Sequence, residues 1–170
     1  MNTNSPTKQL TLPVHLKQDT SFKNFYGEAN SKAATTLERL IAEQRETLMY
    51  VSGPAGSGKS HLLISALSYV EGLDRSACYF SLKDLIELLL NPVEIQNFFD
   101  SLESYSMVIL DDMDAAFQNS LIDTALSKEN VALEFERGLF NLFNLFKMTS
   151  QQLLLGSKSV PSHLTIALPD

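Results

Sequence analysis

The chain has no tryptophan, one cysteine and three histidines among its 170 residues. A lone Cys78 excludes a disulfide framework within the chain, and His15, His61 and His163 are too scattered for metal-ligand spacing. Cys78 lies in the apolar run Ala77-Cys78-Tyr79-Phe80 and reads as a buried thiol. Lysine and arginine number 13 against 20 acids, with no basic run, for a net charge of −7. A surface of that sign repels nucleic acid as a whole, so direct nucleic-acid binding is not expected. No apolar stretch approaches the length of a membrane span and no N-terminal segment resembles a secretory signal. A cytoplasmic domain with no membrane partner is expected. With 44% hydrophobic residues, the chain can build one core.

Glycine is sparse too, and its distribution is informative. Three of the seven glycines fall between residues 53 and 58. The stretch Gly53-Pro54-Ala55-Gly56-Ser57-Gly58-Lys59-Ser60 fits the pattern G-x-x-x-x-G-K-[ST] at each fixed position. The spacing has a chemical cause. The glycines let successive backbone N–H groups curl inward toward phosphate oxygens. Lys59 can then reach the β- and γ-phosphates, and the Ser60 hydroxyl can ligate Mg²⁺. Ahead of the loop, Thr47 to Val51 is short and apolar, like a buried strand. Behind it, Leu62, Leu63, Ala66, Leu67 and Val70 recur at helical spacing. A strand, a glycine loop and a helix N-terminus together make an anion site. Gly53 to Ser60, with His61 next to them, are therefore the residues expected to hold ATP or ADP.

Such a site needs a carboxylate at the end of a neighbouring strand. Met107-Val108-Ile109-Leu110-Asp111-Asp112 supplies two, after four apolar residues that suit a strand buried on both faces. Asp111 is expected to hold Mg²⁺, often through water, and Asp112 to polarise the attacking water. Asp114 reads as a solvated loop acid.

Around these units, residues 1–8 are polar, and 9–16 alternate like an extended edge segment. Ser31 is placed as the cap of a helix whose face carries Ala34, Leu37, Leu40 and Ile41. A strand over Ala77 to Ser81 precedes a helix from about Lys83 to Leu90, stopped by Pro92. A further short helical stretch leads into the Asp-Asp strand. Ala115 to Asn130 shows no clear period. Leu133 to Lys147 reads as a helix with Phe135, Leu139, Leu142, Phe143 and Phe146 on one face. Phe140 and Leu145 lie off that stripe, which reads as a helix buried on two sides. Gln151 to Gly156 is the fourth strand. Alternating strands and helices predict an α/β fold, a parallel sheet covered by helices on both faces.

With these residues assembled, the chain resembles the DnaA-type branch of the AAA+ P-loop ATPases, from about Gln9 to its end. Phe22-Lys23-Asn24-Phe25-Tyr26-Gly27-Glu28-Ala29-Asn30 is similar to that family's adenine-side segment. Leu139 to Leu145, followed by Gln151 to Ser157, looks like its helix and sensor-1 strand. Gln9-Leu10-Thr11-Leu12-Pro13-Val14 is similar to the sliding-clamp-binding peptide that opens the family's DnaA-homologous regulators of replication initiation. Such a peptide can lay Leu10, Leu12 and Val14 into an apolar groove, beside Gln9 and Pro13.

The resemblance implies a clamp-binding tail over 1–21 and a partial AAA+ nucleotide-binding domain over 22–170. It implies the sliding clamp and DnaA as partners, and leaves room for self-association. After Ser157 the family usually places a polar or acidic residue; here Lys158 either contacts a phosphate or points to solvent. The sequence does not include the family's arginine-finger segment, last strand or helical lid, so little ATP turnover is expected from these 170 residues alone. Two rival functions share the loop and the Asp-Asp strand: a helicase loader or transposition accessory, and a clamp-binding adaptor that does not hydrolyse nucleotide.

Overall fold

The strands are short, and alternate residues on them face opposite helical layers. In the computed structural model, which describes residues 20–24, 28–85, 91–117 and 125–163, the sheet contains β1 (Leu48–Ser52), β2 (Ala77–Ser81), β3 (Met107–Asp111) and β4 (Gln152–Ser157). All are parallel, in the order β1-β4-β3-β2. Both central strands, β3 and β4, are buried along their whole length, as a run without polar alternation requires.

Helices α1 (Glu28–Glu43) and α2 (Lys59–Glu71) cover one face. There Ala34, Leu37, Ile41, Leu63, Ala66 and Val70 pack with Met107, Ile109 and Leu154. Helices α3 (Pro92–Leu102) and α5 (Ala125–Thr149) cover the other, with Phe98, Phe99, Phe135, Leu142 and Phe146 against Val108, Leu110, Leu153 and Leu155. A chain of edge-to-face ring contacts runs from Phe80 through Phe98 and Phe99 to Phe135, with centroids 5.2 to 5.4 Å apart. Gly138 is where α5 meets α3: a Cβ there would lie 2.2 Å from the Phe99 ring. The short helix α4 (Asp114–Phe117) follows β3 directly.

The four strands, the phosphate-loop helix and the apolar face of α1 lie where the sequence places them, to within a residue at the strand ends. Elsewhere the structure differs. Helix α1 starts at Glu28, so Ser31 lies inside it and does not cap it. Residues 82–85 form a turn, and 86–90, the rest of the helix expected from Lys83, lie outside the described residues. Pro92 starts a helix. It occupies the first turn of α3, where its missing N–H costs nothing, and the Asn91 side chain caps that turn by accepting the Val93 N–H at 3.0 Å. Helix α5 runs from Ala125 to Thr149, beginning eight residues before Leu133 where the sequence places its start. Phe140 on α5 is 56% exposed, so α5 is buried on one side, while Leu145 packs partly against the core. Cys78 is a buried thiol as expected, its pKa pushed up to about 12 by that burial.

Candidate nucleotide-binding site

The loop between β1 and α2 takes its shape from two glycines. Gly56 and Gly58 have φ of 78° and 86°, the left-handed region that glycine enters without strain. Gly58 caps α2 and has no side chain to occupy the N–H groups of the first turn. The first helical bond runs from Leu62 N–H to Gly58 O at 3.0 Å. The loop is anchored at its start, where Gly53 N–H donates to Ser157 O on β4 at 3.2 Å. Within it, the Ser57 hydroxyl is buried beside Gly53 with no hydrogen-bond partner. The Lys59 ammonium curls back over the loop to donate to Gly53 O at 2.7 Å and Pro54 O at 3.0 Å. A positive charge, a buried hydroxyl without a partner and a helix N-terminus thus meet in one loop, an arrangement that suits a polyanion.

Asp111 closes the other side. Its carboxylate is fully buried, yet it touches the first turn of α2: Ser60 Oγ donates to Asp111 Oδ2 at 2.6 Å. Tyr79, on β2, donates its hydroxyl to the same oxygen at 3.0 Å. Asp112 N–H donates to Asp111 Oδ1 at 2.7 Å. Room for this carboxylate comes from Gly156 on β4. A Cβ there would lie 2.6 Å from Asp111 Oδ1 and 2.4 Å from Leu63 Cδ1, so no larger residue fits without a shift. Asp112 is in the left-handed region at φ 55°, which turns it out of the strand; its Oδ2 accepts from Ser81 Oγ at 3.1 Å. Burial, and then the Asp111 charge beside it, push the Tyr79 phenol well above its ordinary pKa.

The structure therefore brings Ser60, Asp111 and Asp112 to one edge with Lys59 and the loop. Among the described residues no group of three or more His, Cys, Asp or Glu could hold a metal ion. Two oxygen donors, Ser60 Oγ and Asp111, fit Mg²⁺, which is usually held by one or two protein oxygens and otherwise by phosphates and water. His61 faces away from that pair: its Nε2 lies 3.4 Å from Ser21 O. It thereby tethers a turn of 3-10 helix, Phe22–Asn24, whose Phe22 ring meets Tyr69 of α2 edge-on at 5.7 Å. Between this turn, α1 and α2 lies an open cavity of about 650 Å³ lined by Phe22, Ser31, Thr35, Glu38, Ser65 and Tyr69. Residues 25–27, and Gln9, Leu10, Leu12, Pro13 and Val14, lie outside the described residues.

Asp114 departs from the expectation of a solvated acid. It is 6% exposed, and its Oδ2 accepts the Lys158 N–H at 2.6 Å, which fixes the turn after β4. Burial alone would raise its pKa. The hydrogen bonds from Lys158 N–H and from Ser157 and Ser159 outweigh that and hold the carboxyl below its usual value. The Lys158 side chain is exposed beside that turn. Sequence reasoning missed Tyr79, Ser81 and Gly156 as parts of the site. The available signal was Tyr79 and Ser81, two hydroxyls spaced by two in an otherwise apolar strand, which puts both on one face.

A parallel sheet with helices on both faces and a glycine loop leading into α2 define a P-loop α/β domain. The sequence model of the bacterial DnaA ATPase domain matches residues 16–167, and the chain belongs to that family. It is 30% identical over 169 residues to an uncharacterized protein of Haemophilus influenzae, a match that covers 96% of this chain and 63% of that protein. It is similar in structure to AMPPCP-bound DnaA from Aquifex aeolicus, with a TM-score of 0.68 at 20% identity, over 92% of this chain and 47% of that one. Likeness to DnaI gives a TM-score of 0.59 at 17% identity, over 82% of this chain and 70% of that one. The chain thus spans about half the length of the DnaA structure it matches and under two thirds of the Haemophilus protein.

Proposed function

We propose that this chain binds ATP or ADP with Mg²⁺ between the Gly53–Ser60 loop and Asp111. The observation that carries this reading is the 2.6 Å contact of Ser60 Oγ with Asp111 Oδ2, beside a lysine already folded over the loop. Bound Mg²⁺ would supply charge neutralisation to the phosphates. Lys59 and the first-turn N–H groups of α2 would hold those phosphates, Ser60 and Asp111 the cation or its waters, and Asp112 would orient water. The AMPPCP in the Aquifex DnaA structure supports the nucleotide class.

Within the DnaA family, we assign the chain to the regulators of replication initiation, an Hda-like role. In that reading, residues 1–21 form a tail that docks on the sliding clamp through Gln9, Leu10, Leu12, Pro13 and Val14. The nucleotide-binding domain over 22–170 then promotes ATP hydrolysis by DnaA. The support is the Gln-Leu-x-Leu-Pro-Val peptide placed just ahead of a DnaA-family domain. A helicase loader is the rival, since DnaI shares the fold.

Two measurements test these readings. Calorimetric titration with ADP should show binding that Mg²⁺ strengthens; no heat of binding with either ADP or ATP would sink the nucleotide assignment. Retention on immobilised clamp should be abolished by Gln9→Ala combined with Leu12→Ala. Undiminished retention of that double variant removes the tail from the account, and no retention of the parent chain favours the loader.

A further inference from the structure

We propose that Tyr79 is a positioning residue for the Asp111 carboxylate and thereby sets the Mg²⁺ dependence of nucleotide binding, an inference that rests on the nucleotide reading above. Asp111 Oδ2 has two hydroxyl donors, and they differ in kind. Ser60 lies on the exposed first turn of α2, where its Oγ can turn from the carboxylate to a cation. Tyr79 stands in the middle of β2, paired in register with Ile109, and its ring packs against the core under α2. It has no comparable freedom.

When Ser60 Oγ leaves Oδ2 for a cation, the Tyr79 hydroxyl is the donor still holding that oxygen at 3.0 Å. The other oxygen is fixed independently. It accepts the Asp112 N–H at 2.7 Å and is walled by Gly156. A carboxylate held at one oxygen by Tyr79 of β2 and at the other by the Asp112 N–H, with Gly156 of β4 behind it, cannot rotate away. It therefore meets a hydrated cation with little further ordering, as groups behind a metal ligand do elsewhere.

A hydroxyl present only to satisfy the fold would influence melting and leave the cation requirement alone. The deciding experiment titrates Mg²⁺ against the full chain at fixed ADP carrying a fluorescent N-methylanthraniloyl group. Tyr79→Phe is expected to raise the Mg²⁺ midpoint about tenfold, the lower range for losing a group behind a metal ligand. Binding in EDTA should stay unchanged. In an Asp111→Asn background Tyr79→Phe should have no further effect, and 4-aminophenylalanine at position 79, which keeps a donor in place, should restore the midpoint.

An unchanged midpoint in Tyr79→Phe, with the parent chain responding to Mg²⁺, overturns the role of Tyr79 and leaves the nucleotide site standing. A parent chain that binds no labelled ADP overturns the nucleotide reading itself. If Tyr79→Phe does not fold, the parent chain decides by NMR. The Tyr79 hydroxyl proton should remain protected from exchange in the Mg²⁺–ADP complex, and its loss on adding Mg²⁺ would refute the proposal.

Discussion

The two ends of the same strands carry two buried polar clusters, and they are built on opposite plans. At the amino edge, Gln152 is fully buried at the start of β4. Its Oε1 accepts from Arg75 at 3.0 Å, and its Nε2 reaches the carbonyls of Leu40 and Glu46, each at 3.2 Å. Arg75 also donates to Ile41 O at 3.3 Å. The amide of Gln152 is thus engaged through both its oxygen and its nitrogen by protein partners. At the carboxyl edge, Asp111 is equally buried but its partner Ser60 is exposed, Ser57 Oγ has no partner, and Lys59 rests on two backbone carbonyls. A closed network specifies structure, and an unfinished one at a sheet's carboxyl edge marks a place for a ligand. Burial alone does not separate the two, whereas the satisfaction of each atom does.

Substitutions at the two edges should therefore fail in opposite ways. The largest effect is expected at the closed edge. Gln152→Leu takes one partner each from Arg75 and the Leu40 and Glu46 carbonyls, though Ile41 O still holds Arg75 and the Gln44 N–H still holds Leu40 O. At roughly 1–3 kcal/mol for a buried polar group losing its partner, it should cost about 2 kcal/mol in urea denaturation. ADP affinity, measured where the variant is still folded, should remain within about twofold of the parent on the same argument. At the open edge the pattern reverses. Lys59→Ala should weaken ADP or ATP binding at least tenfold, about 1.4 kcal/mol, with the denaturation midpoint unmoved. Equal affinities by calorimetry would show that the loop is not the phosphate site.

A smaller effect is expected at Asp114, which lies between the two plans: a carboxylate at the site's edge used as a structural brace. Its folded pKa is below the unfolded value near 3.8. Its contribution to stability is therefore present above that value and is lost as pH falls through the lower folded one. Asp114→Asn should be less stable than the parent at neutral pH, and the gap should close over that acidic interval. A gap constant with pH would mean that the charge of Asp114 plays no part.

The smallest effects belong to the remaining arginines. Arg39 and Arg137 sit in exposed pairs with Glu43 and Glu134 on their own helices, and Arg45 is exposed before β1. Replacing Arg39 or Arg137 by alanine should change stability by under about 0.5 kcal/mol. With Arg75 committed to Gln152, none of these places positive charge beside Asp112. ATP turnover by the 170 residues alone should stay near background. Brisk phosphate release abolished by Asp112→Ala would mean that another cation, Lys158 first, reaches the site.

Local chemistry was legible in the sequence wherever it repeats along the chain. The glycine loop, the apolar strands and the stripe of α1 follow from spacing, and the loop sequence fixes where its lysine and serine stand. What spacing cannot show is which residues of different strands become neighbours. Tyr79 reaches Asp111 only because β2 pairs with β3 in a register that sets Ser81 against Asp111. Gly156 matters only because β4 passes beside the carboxylate. Asp114 looked solvated because it follows two acids, and nothing local announces the Lys158 N–H that buries it. Pro92 is a different case. Asn-Pro followed by Glu94 is a helix-start pattern, and here it prevails over proline's tendency to end a helix.

The bond from Gly53 N–H to Ser157 O has a consequence for biosynthesis. It joins the loop to a strand about a hundred residues later, and β1 has β4 as its sheet neighbour. Closing so wide a loop costs entropy before any contact rewards it. A growing chain emerging from the ribosome can form β2, α3 and β3 while β1 still waits for its partner. Only after β4 has emerged can that strand be seated and the glycine loop be tied down. Ligand capture would then report completion of the sheet, and an excess of nucleotide present during refolding should trap molecules only in the last kinetic phase.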